Sequence, residues 1–256
     1  MHREYSTFHI ISFTLFVIAF MVYFATFVTI LFSGKGKDYK EYVAKNNNHT
    51  INQDLNKTDD LQIKNICKNI ANPIMWERLT NKDVIAWIEV PNTNINYPIM
   101  YCDDDQYLLK GIDGKKSYAG SIYVRADNNS DFTDNLTVIY GHNMANGTMF
   151  GNLDEFMGED LFSKQKYFYI YFPDGSVNIY KIVSYGMTDD KQLMDKYQTE
   201  TPEGFRKFQE YITSKNMRNV NNIDFDEKIV TLETCSIIPG QRSILNGFLV
   251  DKEEKE

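Results

Sequence analysis

The sequence predicts a mostly β fold: an eight-stranded, closed or nearly closed β-barrel with an inserted helix, preceded by a membrane-crossing helix. Three observations predict it. Eight short runs rich in β-branched and aromatic residues fall between residues 84 and 250. Few helical patterns interrupt them, and they lack the strand–helix alternation of a parallel α/β sheet. A long apolar run near the N-terminus stands apart from all of them.

That run, residues 8–32, reads "FHIISFTLFVIAFMVYFATFVTILF" and carries no ionisable side chain except His9. At ~1.5 Å per residue it is long enough, as a helix, to cross a hydrocarbon core of about 30 Å. It has no polar face, unlike a core helix of a water-soluble domain. No A-x-A-like cleavage site follows, so the expectation is an uncleaved anchor. Residues 1–7 then form a short N-terminal tail. Residues 33–60 are polar and Asn/Lys-rich and read as a linker, with a helical turn around Tyr39–Val43. Residues 61–82 carry Leu61, Ile63, Ile66 and Ile70 at near-helical spacing, with Pro73 as a breaker.

Strands are predicted at 84–90, 95–100, 119–124, 135–142, 166–172, 177–186, 228–235 and 243–250. "PDG" at 173–175 joins two of them as a tight hairpin. Helical patterns occupy 148–156 and 202–216. Thr201 followed by Pro202 is a helix start, placing this second helix between the sixth and seventh strands. The barrel domain runs from 83 to 251, and 252–256 is a charged tail.

The chain has 256 residues and a net charge of -8, which argues against a nucleic-acid partner. Its three cysteines, Cys67, Cys102 and Cys235, make neither a disulfide framework nor a pair with metal-ligand spacing. No metal site and no cofactor are expected.

The thiolate is the nucleophilic form of cysteine, so neighbouring charge ranks the three. Cys102 precedes Asp103, Asp104 and Asp105, which oppose a thiolate. Cys67 lies in an apolar helical pattern. Cys235 closes a strand, with Glu233 on the same strand face and Arg242 opening the next strand. An antiparallel hairpin puts Cys235 and Arg242 at one rim of the barrel. A guanidinium there can stabilise a thiolate, hold a carbonyl or receive an oxyanion. His142 is the one histidine in the folded part and follows the strand "NLTVIY" directly. On these residues alone two readings of Cys235 stay open: a nucleophile, or a buried structural thiol beside a solvated arginine.

The blocks "TLETC" (231–235), Arg242, "YGHNM" (140–144), "WIEVPNTNINYPI" (87–99), "YLLKG" (107–111) and "GHNMANGTMFGNLDEF" (142–157) resemble the sortase family of membrane-anchored cysteine transpeptidases, most closely its class B. The resemblance covers about residues 72–250 and the anchor, and the helix at 202–216 resembles the class B insertion. It implies a sortase-type barrel with Cys235 as nucleophile, His142 as acid and base, and Arg242 as carbonyl and oxyanion ligand. Leu108, Thr234 and, more weakly, Glu233 would line the substrate groove. The implied partners are secreted proteins bearing a C-terminal sorting motif of the N-P-x-T type, and a peptidoglycan amine or its lipid-linked precursor as acceptor. A pilus-assembly enzyme joining pilin subunits, or a catalytically silent membrane-tethered binding module, are the alternatives. The implied location is the plasma membrane of a Gram-positive-type cell, N-terminus inside and catalytic domain outside. Lys35, Lys37, Lys40 and Lys45 after the anchor, against Arg3 before it, argue for the opposite orientation. Six residues lie between Cys235 and Arg242, a shorter stretch than is usual in class B.

Overall fold

The computed structural model describes residues 17–23, 39–44, 70–220, 228–235 and 238–253. Most of the predicted anchor, most of the linker, residues 61–69 and residues 254–256 lie outside them. The chain divides into two units, Met1–Gly36 and Lys37–Glu256. In the first, residues 17–23 are helical, and Ile18, Phe20, Met21 and Val22 are exposed. No helix among the described residues is long and apolar enough to cross a membrane.

The second unit is built on one sheet of nine strands: β1 (Val84–Glu89), β2 (Asn96–Cys102), β3 (Ile122–Arg125), β4 (Leu136–Tyr140), β5 (Tyr167–Tyr171), β6 (Val177–Asp189), β7 (Arg218–Asn219), β8 (Ile229–Cys235) and β9 (Gln241–Glu253). The order is β5-β1-β2-β3-β4-β8-β9-β6-β7, and a further β5–β6 pairing closes eight of them into a barrel. These are the eight strands expected from the sequence; β7, two residues long, is an addition. Two pairings are parallel, β2 with β3 and β4 with β8, and the rest are antiparallel.

Closure explains the composition of the strands. β4 ("LTVIY") and β5 ("YFYIY") are buried at every position, because one face fills the barrel and the other is covered by connecting segments. Trp87, Phe150, Phe156, Phe168 and Tyr180 are among the largest buried side chains. The hairpin at "PDG" forms as expected: Gly175 takes a positive φ of 93° and Asp174 accepts from the Ser176 amide at 2.8 Å.

The expected helical turn in the linker is a 3-10 turn, Tyr39–Tyr42. It is docked: the Tyr39 ring meets Tyr97 edge-on at 5.5 Å, and Val43 bridges to Ile74. Within 70–82 the helical expectation reduces to one 3-10 turn, Trp76–Arg78. Pro73 and the pairing of 42–44 with 73–75 hold the preceding chain extended. The expected third strand starts later, at Ile122, because Ser117–Gly120 form a turn and Gly120 has φ +60°.

The helix expected over 148–156 is a 3-10 turn at Leu153–Met157, followed by α1 (Glu159–Lys164). Among the described residues the insertion between the sixth and seventh barrel strands holds two helices where one was expected, α2 (Leu193–Tyr197) and α3 (Pro202–Ile212). Thr201 caps α3, its hydroxyl accepting from the Gly204 amide at 3.0 Å. α3 buries Phe208 and Ile212, and its Tyr211 hydroxyl donates to the Met187 carbonyl on β6 at 2.8 Å. Thr188, the next residue, pairs with Arg242 on β9. The insertion therefore buttresses the end of β6 beside Arg242.

Candidate active site

Three strand ends converge at one rim of the barrel. β8 ends at Cys235, and in the β8–β9 ladder Cys235 is the direct partner of Arg242. Residues paired across an antiparallel ladder share a face, so thiol and guanidinium meet by register alone. Arg242 Nη1 donates to Cys235 Sγ at 3.2 Å. Cys235 is exposed and Arg242 partly so.

The histidine arrives from β4. β4 and β8 are parallel, with Tyr140 opposite Glu233, and the Gly141 amide donates to the Glu233 carbonyl at 3.1 Å. Continuing that register by two residues sets the backbone of His142 level with Cys235. Gly141 has no side-chain space, because a Cβ would run into Ile122 and Phe150. His142 Nε2 lies 2.7 Å from the Leu108 carbonyl oxygen. A carbonyl only accepts, so Nε2 carries the hydrogen and the ring is fixed by the loop after β2.

The sequence reading missed a polar brace beneath these groups. Asn143 Nδ2 donates to the Cys235 carbonyl at 2.9 Å and to Asp154 Oδ2 at 2.9 Å. Asp154 Oδ1 accepts from the Ser243 hydroxyl at 2.6 Å and the Tyr185 hydroxyl at 3.0 Å. One carboxylate thus ties the His-bearing loop to β8, β9 and β6. Asn143 holds the backbone of the cysteine. Asp154 gave a signal only as part of "GNLDEF".

The groove residues expected from the sequence divide. Leu108 is partly buried and supplies the carbonyl that holds His142. Thr234 is 1% exposed and Glu233 3%, so both side chains lie within the barrel wall. Thr234 shares its face with Ser243, opposite to Cys235; Glu233 shares the face of Cys235. Glu233 Oε1 lies 3.9 Å from Arg242 Nε. Burial pushes its carboxyl up to about 7, with Arg242 pulling in the other direction.

Of the other two cysteines, Cys102 is a buried thiol whose Sγ donates to the Asp104 carbonyl at 2.7 Å, and burial raises it. Cys67 lies outside the described residues. Among the described residues no group of three or more His, Cys, Asp or Glu is placed to hold a metal ion.

An exposed thiol at a strand end, paired with a guanidinium and flanked by a fixed imidazole, defines a cysteine enzyme of the acyl-transfer class. Residues 88–250 match the sortase domain family. The chain is 29% identical to sortase B of Listeria monocytogenes over 232 residues, spanning 87% of this chain and 92% of that protein. The crystal structure of sortase B from Clostridium perfringens superposes with a TM-score of 0.61 at 32% identity, covering 67% of this chain and 96% of that one. A Streptococcus pyogenes class B sortase involved in pilus biogenesis gives 0.59 at 28% identity, covering 66% of this chain and 93% of that one. The chain belongs to the sortase family of cysteine transpeptidases, class B.

Proposed function

We propose that this enzyme cleaves a C-terminal sorting signal of secreted proteins and transfers the new carboxyl end to an amine of cell-wall peptidoglycan or its lipid-linked precursor. The observation that carries the reading is the register pair Cys235–Arg242, with Nη1 3.2 Å from Sγ. The Cys235 sulfur attacks the carbonyl carbon of the threonine in an N-P-x-T-type motif. Arg242 receives the oxyanion. The C–N bond then breaks, and His142 gives a proton to the leaving amine. The thioester carries the acyl group until an incoming amine attacks it; His142 takes that amine's proton and the sulfur leaves as the thiolate, which restores the starting pair. One difficult acyl transfer thus becomes two easier ones. Leu108 borders the groove through its backbone in this reading, whereas the buried side chains of Thr234 and Glu233 lie behind it in the barrel wall.

The apolar run 8–32, with exposed apolar side chains along the helix 17–23, supports a membrane anchor. The catalytic domain sits outside the plasma membrane in this reading. Protease treatment of intact protoplasts tests it: the domain is digested if outside and protected if inside.

A pilus-assembly role is the second reading, supported by the likeness to the Streptococcus pyogenes enzyme. The two differ in the acceptor. Quenched N-P-x-T and L-P-x-T-G peptides, offered to the full-length chain with a peptidoglycan stem amine or a lysine-bearing pilin peptide, separate them. Cleavage of neither peptide, or equal cleavage by Cys235→Ala, overturns the enzyme mechanism; the silent binding module would then remain. Cleavage of L-P-x-T-G alone overturns the motif assignment.

A further inference from the structure

Glu233 stands in a place where a carboxyl is costly. Its side chain is 4% exposed; among the described residues Oε2 has no hydrogen-bond partner, and the one ion-pair contact is Arg242 Nε, 3.9 Å from Oε1. The position is specific. Glu233 and Cys235 lie two residues apart on β8 and share a face, and Arg242 is the ladder partner of Cys235. The guanidinium therefore spans the two, Nη1 toward the sulfur and Nε toward the carboxyl.

Among the described residues, the rest of that face offers the carboxyl little else. From β4 comes the Tyr140 hydroxyl, on the residue paired with Glu233, itself buried without a hydrogen bond. From β3 come Tyr123, paired with Tyr140, and Arg125, whose Nε is also buried without a hydrogen bond. Tyr123 donates to Asp105, and Arg125 approaches Asp105 and Asp127, so these charges compensate one another. From β9 comes Arg242, and on β8 itself Cys235.

We propose that Glu233 is a positioning residue that holds the Arg242 guanidinium over Cys235. The inference rests on the transpeptidase reading of the site and deepens it. While the carboxyl is neutral, it limits the guanidinium by packing beside Nε at 3.9 Å, and the positive charge of Arg242 is unshared, facing the sulfur. Once ionised, as burial delays until about pH 7, the carboxylate draws the guanidinium toward itself and competes with the thiolate for it. A residue acting only as filler in the barrel wall would do neither.

The test uses the full-length chain in detergent, with Glu233→Gln and Glu233→Ala. Two readouts are taken: iodoacetamide alkylation of Cys235, which needs no substrate, and kcat and KM on the sorting peptide. At pH 5.5 the Gln variant matches wild type in both, whereas the Ala variant loses about tenfold in kcat with KM little changed, as expected for a misaimed Arg242. At pH 8 the Gln variant alkylates about three- to tenfold faster than wild type, because no carboxylate shares the guanidinium. A Gln-to-wild-type alkylation ratio that stays constant between the two pH values, or an Ala variant equal to Gln in kcat, overturns the assignment. If wild type cleaves no peptide, the transpeptidase reading fails, and the alkylation ratio alone decides the role of Glu233.

Discussion

The side-chain amide of Asn143 donates to the backbone carbonyl of Cys235 at 2.9 Å. The residue beside the histidine thereby grips the residue that bears the proposed nucleophile. Asp154 fixes the same amide and takes hydroxyl donors from Ser243 and Tyr185. The strand end at Cys235 is exposed, and the brace adds to the β9 ladder and to the Gly141–Glu233 hydrogen bond that hold it.

Asn143→Ala removes the amide and leaves the Asp154 carboxylate short of a donor. Loss of one such hydrogen bond costs about 1–2 kcal/mol of stability. The larger expected effect is on kcat, a fall of about ten- to a hundredfold with KM little changed, because the nucleophile loses its alignment. Steady-state kinetics with Asn143→Ala and Asp154→Asn check this; wild-type kcat in both variants contradicts it.

Arg242→Lys keeps the charge and loses the planar fork. Nη1 and Nε now reach Cys235 and Glu233 together, and an ammonium cannot reproduce that span. The expected loss in kcat/KM is about a hundredfold, close to that of Arg242→Ala. A Lys variant with near wild-type turnover would reduce the role of Arg242 to bulk charge.

Gly120 is required by the histidine rather than by the turn alone. It sits at φ +60°, and a Cβ there would run into the carbonyls of Tyr107 and Leu108. The Leu108 carbonyl is the acceptor that fixes His142. Gly120→Ala is expected to cost roughly 1–3 kcal/mol from backbone strain. It is also expected to shift the Leu108 carbonyl from His142 and lower kcat beyond what the lost stability explains. Urea unfolding and kinetics at a temperature well below the midpoint separate the two effects.

Glu233 gives a stability signature with a definite sign. Its carboxyl is raised in the folded state from 4.5 to about 7. Below the lower value it is protonated in both folded and unfolded chains and costs nothing. Between the two values only the unfolded chain releases the proton, so stability falls as pH rises; above about 7 the penalty is complete, roughly 3 kcal/mol. Glu233→Gln removes this dependence. Urea unfolding at pH 4.5 and pH 8 should show the variant gaining on wild type at the higher pH. Parallel wild-type and variant values at both pH contradict the burial account.

Much of this was legible in the sequence because strands and their order leave local marks. The eight barrel strands, the "PDG" hairpin, the Thr201–Pro202 helix start and the helical turn at Tyr39 all have short-range causes. The pairing of Cys235 with Arg242 follows from one hairpin. What was not legible depends on contacts between distant segments. The Asn143–Asp154–Ser243–Tyr185 brace joins four parts of the chain, and none of those residues is unusual by itself. The helical pattern over 148–156 failed because Gly147 and Gly151 serve close turns; at Gly151 a Cβ would run into the Met144 carbonyl. Glu233 was placed on the correct strand face by alternation. Its depth was not visible, because burial at a barrel rim depends on what Arg242 and β4 lay over it.

In the proposed reaction Cys235 Sγ is the atom that carries the acyl group. Intact-mass spectrometry of the full-length chain, quenched in acid during turnover of an N-P-x-T peptide, tests this directly. The expected result is an added mass equal to the peptide fragment ending at threonine, mapped to Cys235, removed by hydroxylamine and absent in Cys235→Ala. Peptide cleavage with no adduct on Cys235, persisting at the wild-type rate in Cys235→Ala, would contradict it.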